Sequence, residues 1–380
     1  MSDRRRVLIA IVVLMFLFGA TVSGVLVTNY QHIGTLVKVV KLVRNNYIEP
    51  VTTTQLMDGA IKGIVESLDD PYSVYLEPKR YQELQVQMQG SFGGLGIHVG
   101  VKDKHITVIA PIKGTPAFRA GVKAGDVIAR INEQDAINMD IDKAVELMRG
   151  PAGTSVKITV IREEKGEKKP LEFNIVREII TVPSVEGKLV KGEPIAHIQL
   201  SMFNENTKAE LAETIKKLEQ EKFRGIILDL RNNPGGELKA AGDVANYFVP
   251  KGRIVTIRDR FGAVETIDAD GDKLNYPLVV LVNGFSASAS EIVAGAIKDT
   301  GAGTLVGTKT YGKGVVQTIF KLDSDSGLKI TTAKYFTPKG HDIHKKGIDP
   351  DVVIEQPEDS KEDVQLNKAV EILKSKIQPQ

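Results

Sequence analysis

The chain has 380 residues, 42% hydrophobic and 26% charged, a balance that suits two or three globular domains and excludes a disordered, collagen-like or polytopic membrane protein. Asp3 with Arg4, Arg5 and Arg6 already carries the formal net charge of +2, so the balanced remainder offers no electrostatic footprint for nucleic acid. With no cysteine and six scattered histidines, disulfides, thiol chemistry and a zinc-peptidase motif are excluded, and no cofactor or metal is expected.

From the amino end, Val7 to Val27 runs 21 residues without a charge. At about 1.5 Å per residue it reaches roughly 31 Å, enough to cross a hydrocarbon core. The preceding arginines orient it with the amino terminus in the cytoplasm. Residues 1–29 are therefore expected to be a cytoplasmic stub and membrane anchor, with the remaining chain extracytoplasmic. A cleaved signal peptide is the alternative, since Gly19 to Gly24 is rich in small residues.

Residues 30–90 are expected to form a small helical module. Leu36, Val39, Val40 and Val43 recur at helical spacing, as do Leu56, Ile61, Ile64 and Leu68, and Asp69-Asp70-Pro71-Tyr72-Ser73 turns the chain. A homodimer contact is one use for such a module. Residues 91–178 change to short strands around Ile106–Ile109, Val127–Ile131, Val156–Ile161 and Leu171–Ile175, with a helix near Ala144–Met148. A dinucleotide fingerprint fails here, because the third glycine comes one place late and a strand follows where a helix is needed. Gly94-Leu95-Gly96-Ile97 before a strand, Ala117, Ala120-Gly121 and Gly125-Asp126-Val127-Ile128 resemble a PDZ domain. The resemblance implies that a substrate's free carboxy terminus pairs with the strand after the glycine loop, its carboxylate held by backbone N–H groups of Gly94, Leu95, Gly96 and Ile97.

Residues 179–356 alternate apolar strands and helical runs, the pattern of an α/β layer domain. Strands are expected at Ile195–Leu200, Gly225–Leu230, Tyr276–Asn283 and Thr304–Gly307, and helices at Thr207–Gln220, Leu238–Phe248 and onward from Glu291. A hairpin turns about residues 323–327, and residues 357–380 end in a helical run. His341 and His344 fall on a Gly/Lys-rich stretch that reads as a solvated loop. Gly307 to Lys313 approaches a phosphate loop, but Gly314 stands where a magnesium-binding hydroxyl belongs, and a strand follows.

Two small-residue loops, Arg231–Gly236 and Gly284–Ser290, each end a buried strand and open a helix, so unpaired N–H groups gather there, as an oxyanion would need. On pattern alone Ser288-x-x-Glu291 is a capping box. A nucleophilic hydroxyl needs a base, and a lysine serves if neutral; lowering its pKa from about 10.4 to about 7 takes roughly 4.6 kcal/mol, which burial supplies. Lys313, between glycines and followed by Val315 and Val316, is the best-placed lysine of this domain.

The Leu68–Tyr72 turn, the PDZ-like stretch, Asp229–Gly236, Ser286-Ala-Ser-Ala-Ser290-Glu291, Gly312–Gln317 and Gly347–Asp351 together resemble the carboxy-terminal processing peptidases, or tail-specific proteases. The resemblance implies a crotonase-like α/β core with an inserted PDZ domain. It also implies a serine endopeptidase with Ser288 as nucleophile, Lys313, 25 residues on, as base, and Gln317 orienting it. The oxyanion donors would be Ala289 N–H and that of Gly235 or Gly236. The PDZ domain would feed or gate the site, with Arg177 at its junction a candidate for coupling. A catalytically dead PDZ adaptor and a crotonase-type acyl-CoA enzyme are the alternatives.

Overall fold

The computed structural model describes residues 32–377 except positions 103, 165, 323, 324, 358 and 361. The expected anchor, Val7–Val27, lies outside the described residues. Among those described, no helix is long and apolar enough to cross a membrane.

The chain divides into two compact units. One takes in the described residues up to Glu77 together with Ile319–Ile330. It contains helix α1 (32–46), helix α2 (Thr53–Glu66) and strand β1 (Val74–Leu76). Thr52 and Gln55 form a reciprocal capping box that starts α2. β1 was not expected: three residues give no period to read, and its place is set by antiparallel pairing of Val74 with Lys329 and Leu76 with Gly327.

The second unit, Pro78–Thr318 with Thr331–Gln380, opens on helix α3 (Pro78–Gln89) and enters residues 91–178 through strand β2 (Ser91–Gly94). There follow β3 (Ile97–Lys102), β4 (His105–Pro111), α4 (Pro116–Ala120), β5 (Val127–Ile131), β6 (Gln134–Asp135), α5 (Ile141–Met148), β7 (Ser155–Glu164) and β8 (Glu167–Val176). The sheet order is β3-β4-β5-β7-β8, with β6 on β5. Its buried face, with Ile106, Val108, Ile128, Ile131, Val156, Ile158 and Val160, packs with Ala144 and Met148 of α5. The chain leaves by β9 (Glu178–Thr181), which pairs with β2, so this two-stranded ribbon extends three residues past the expected boundary at 178.

The core sheet comprises β10 (Val185–Leu189), β11 (Ile195–Leu200), β12 (Gly225–Asp229), β15 (Leu278–Val282), β16 (Thr304–Gly307) and β19 (Val352–Val353), in that order. All neighbours are parallel except β10 with β11. Helices α6 (Thr207–Glu219), α7 (Leu238–Asn246) and α8 (Ala289–Thr300) bury their apolar sides on one face. Helix α9 (Val364–Ile377) covers the other with Ala369 and Leu373. β11 and β16 fall where the sequence put them, and β12 and β15, buried along their whole length, read as continuous apolar runs. β13 (Gly252–Asp259) and β14 (Val264–Ala269) were missed, since their residues mix charge with β-branched side chains and much of β14 is exposed. β13 pairs with β18 (Gly327–Phe336), the partner of β17 (Val315–Lys321). After Lys313 the chain runs into this strand, not the helix a phosphate loop needs.

Candidate active site

β12, β15 and β16 lie side by side and parallel, so the loops at their carboxyl ends are neighbours, the usual position of a site in an open α/β sheet. Side chains stitch the first two loops together. Asn232 and Asn283 bond reciprocally, N–H of Asn232 to Oδ1 of Asn283 at 3.0 Å and Nδ2 of Asn283 to Oδ1 of Asn232 at 2.9 Å. Ser286 Oγ donates to the Leu230 carbonyl at 2.8 Å, and Ser290 Oγ to the Asn233 carbonyl at 2.9 Å. Both serines are fully buried, whereas Ser288 between them is partly exposed. The three serines of the motif thus divide: the outer two are spent on packing one loop against the other.

Ser288 has φ 54° and ψ −113°, a backbone conformation that costs a non-glycine residue about 1–3 kcal/mol and persists only where its surroundings over-determine it. Gly235 packs against it. A Cβ at 235 would lie 2.8 Å from Ser288 Cβ and 2.9 Å from Ala289 N, so only glycine lets the two loops close. The N–H of Gly235 donates to Asn233 Oδ1 at 2.9 Å. Those of Gly236 and Ala289 have no hydrogen-bond partner among the described residues.

Glu291 is fully buried, and its carboxylate meets four donors. Oε2 accepts Ser288 N–H at 3.0 Å and Lys313 N–H at 2.9 Å; Oε1 accepts the Thr310 hydroxyl at 2.6 Å and Gly312 N–H at 2.8 Å. Multiple N–H bonds help make a buried carboxylate tolerable. In the sequence this residue read only as half of a capping box; in the fold, one oxygen joins the main chain of Ser288 to that of Lys313. Tyr335, 1% exposed, adds a second tie, its hydroxyl donating toward the carbonyls of both Ser288 and Lys313. Neither role carries a sequence signal, because both are set by tertiary placement.

Gln317 lies within β17, where its amide donates to the Val315 carbonyl at 3.4 Å. His341 is exposed, but His344 is half-buried, and its backbone presses on Gly314: a Cβ there would lie 2.6 Å from His344 N. Beside the base loop is a cavity of about 370 Å³ lined partly by Leu238, Ile257, Val264, Val316 and Ala333.

Behind the glycine loop stands a buried ion cluster. Arg231 bonds Asp229 at 2.7 Å and Asp363 at 2.8 Å, and His197 Nε2 lies 3.0 Å from Asp229. Burial alone would raise the Asp229 pKa, but hydrogen bonds from His197 and Arg231 hold it below the usual carboxylate range. Arg231 likewise depresses Asp363 against the effect of burial. Depressed carboxylates stabilise the fold above their ordinary pKa, and that contribution is lost as pH falls through the folded value. The melting temperature is therefore expected to drop as pH falls below about 5. Arg231→Met should cost about 3–5 kcal/mol at neutral pH and flatten the acid slope, measured by calorimetry across pH. An unchanged slope would remove the cluster from this account.

In residues 91–178, a cavity of about 290 Å³ is lined by Phe92, Gly94, Leu95, Gly96, Ile97, Val145, Met148 and Arg149, among others. All four expected loop residues line it. Gly96 has φ 74°, and a Cβ there would strike the Thr115 side chain at 2.3 Å. Arg149 went unnoticed in the sequence. Its guanidinium lies 4.4 Å from the Phe92 ring centroid, and no carboxylate pairs with it among the described residues. Arg177, 8% exposed, donates to the carbonyls of Met148 at 3.0 Å and Leu147 at 2.8 Å and to Thr154 Oγ1 at 2.9 Å, pinning the carboxyl end of α5 next to β9. A wider hollow of about 730 Å³ on the other face of the sheet, floored by Thr107, Ile109, Val127 and Ile161, shares none of these residues.

Residues 194–354 match the model of peptidase family S41, residues 107–162 that of a PDZ domain, and residues 23–80 that of the activating protease CtpB N-terminal domain. The carboxy-terminal-processing protease of Bartonella bacilliformis is 42% identical over 335 residues, covering 86% of this chain and 76% of the relative. The carboxy-terminal processing protease CtpA of Bacillus subtilis is 39% identical over 326 residues, 85% and 69% of the two chains. Among solved structures, the photosystem II D1 C-terminal processing protease is 30% identical with a TM-score of 0.50, covering 89% of this chain and 96% of that one.

Proposed function

Given that the chain belongs to peptidase family S41 as a carboxy-terminal processing protease, we propose that it cleaves its substrates with a Ser288–Lys313 pair and selects them through a free carboxy terminus held in the PDZ groove. The observation that carries the pairing is Glu291, whose Oε2 accepts from the main chain of both residues. Membership of a peptidase family sets aside the acyl-CoA reading and the dead adaptor, which rested on fold and on the PDZ stretch alone.

The chemistry is acyl transfer. Neutral Lys313 Nζ takes the Ser288 proton as Oγ attacks the scissile carbonyl carbon. The tetrahedral oxyanion accepts Ala289 N–H and Gly236 N–H; Gly236 is preferred over Gly235, whose N–H is already given to Asn233. Collapse expels the amine, which takes the proton from Lys313, and the same lysine then deprotonates the water that frees the acyl group. Gln317 is assigned to orient Lys313, which requires its amide to turn from Val315 when substrate binds. A serine-directed fluorophosphonate tests the assignment. Wild type should be labelled and Ser288→Ala should not; labelling that survives in Ser288→Ala would sink it.

The carboxylate of a bound tail would meet N–H groups of Gly94 to Ile97, and Arg149 supplies a cation at the same cavity. Arg149→Gln is expected to weaken a free-acid peptide about tenfold and its amide hardly at all, a charge-assisted bond contributing about 1.5–3 kcal/mol. Fluorescence anisotropy with full-length Ser288→Ala reads the difference; equal losses for acid and amide would rule out carboxylate recognition by Arg149. Arg177 is the proposed coupling residue, because it joins α5, which lines the groove, to β9, which leads into the core. The uncharged run Val7–Val27 is proposed as the anchor that holds the protease on the outer side of a membrane.

A further inference from the structure

Two loops must keep their spacing for a hydroxyl at 288 to meet an amine at 313, and their main chains are tied on both sides. On the N–H side the tie is Glu291. On the carbonyl side it is one phenol: Tyr335 Oη lies 3.0 Å from the Ser288 carbonyl and also donates toward that of Lys313. Tyr335 sits near the end of β18, is 1% exposed, and its own N–H donates to the Gly314 carbonyl at 3.1 Å, so its backbone moves with the base loop. A phenol carries a single hydrogen. One donor shared between two carbonyls from loops 25 residues apart is sensitive to their separation in a way that two independent bonds are not.

We propose that Tyr335 is a positioning residue for the acyl transfer, setting the distance between nucleophile and base through the carbonyls of Ser288 and Lys313. The proposal rests on the Ser288–Lys313 reading. It adds a reason why a serine in a costly backbone conformation, φ 54°, stays there. The Ser288 carbonyl also accepts N–H of Glu291 at 2.8 Å and Ile292 at 3.0 Å, so losing the phenolic hydrogen leaves the helix start bonded, and the fold should survive Tyr335→Phe.

Tyr335→Phe is expected to lower kcat roughly 10- to 100-fold with KM within about twofold, and to slow fluorophosphonate labelling of Ser288 by a similar factor. A residue that only stabilises the fold would lower the melting temperature and leave both rates alone, and that result overturns the proposal. 4-Aminophenylalanine at 335 keeps the ring and a donor and should restore kcat to within about threefold. If Tyr335→Phe fails to fold, the 4-aminophenylalanine variant is compared with 4-methoxyphenylalanine at 335, which keeps the oxygen but loses the hydrogen; equal kcat in the two overturns the proposal. Ser288→Ala and Lys313→Met run alongside: full activity in either removes the underlying pair, whereas their inactivity with a wild-type Tyr335→Phe removes only the role of the phenol.

Discussion

Ser288→Ala and Lys313→Met are each expected to lower kcat by roughly 10⁴-fold or more, and the double variant to fall no further. The lack of additivity is the diagnostic part. A nucleophile without its base keeps a proton it cannot shed, and a base without its nucleophile has nothing to activate, so either loss removes the whole covalent route. The residual rate should come from the oxyanion donors, since Ala289 and Gly236 offer main-chain N–H groups that neither substitution deletes. Peptide binding should be unaffected, because the groove of Gly94–Ile97 lies in a different domain. Steady-state kinetics on one peptide with the three variants gives the cycle. Losses that multiply in the double variant would mean that Ser288 and Lys313 act independently, and the shared mechanism would fail.

The sequence disclosed the layers of this molecule unevenly. Strands β12 and β15, buried along their whole length between α6–α8 and α9, left apolar runs that marked them in the sequence to within one or two residues at each end. β1 and β10 left none, because a three-residue strand has no period and β10 is mostly exposed at the sheet edge. At the site, the resemblance pointed to Ser288 as the nucleophile, but the Ser-x-Ser-x-Ser pattern could not say what its two neighbours do. Burial separates them: Ser286 and Ser290 are spent on carbonyls of the glycine loop. The roles proposed for Glu291, Tyr335 and Arg149 were invisible in the sequence for one reason. Their partners lie in other loops, and a side chain that acts across tertiary distance leaves no local pattern. Gly235 was legible as a glycine yet not as a spacer, since its reason is the approach of Ser288 Cβ.

Glu291→Ala is expected to lower kcat by roughly 10³-fold while leaving Ser288 and Lys313 in place, and to weaken the fold by several kcal/mol, roughly. The substitution strands three N–H groups and the Thr310 hydroxyl, and each unmade buried bond costs about 1–3 kcal/mol. Thr310 cannot simply turn away, because its oxygen already accepts Ile348 N–H at 2.7 Å. Glu291→Gln separates stability from geometry. An amide has one carbonyl oxygen, so it can keep Ser288 and Lys313 N–H or Gly312 N–H and the Thr310 hydroxyl, not both pairs. With its oxygen in the Oε2 position it should retain the tie between nucleophile and base, holding kcat above that of Glu291→Ala by tenfold or more, roughly, while still melting earlier than wild type. Labelling of Ser288 per folded molecule, measured beside the melting temperature, distinguishes the two effects. If Glu291→Ala labels as fast as wild type once the unfolded fraction is removed, the carboxylate is only a helix cap, and the spacing of Ser288 and Lys313 must be held by something else.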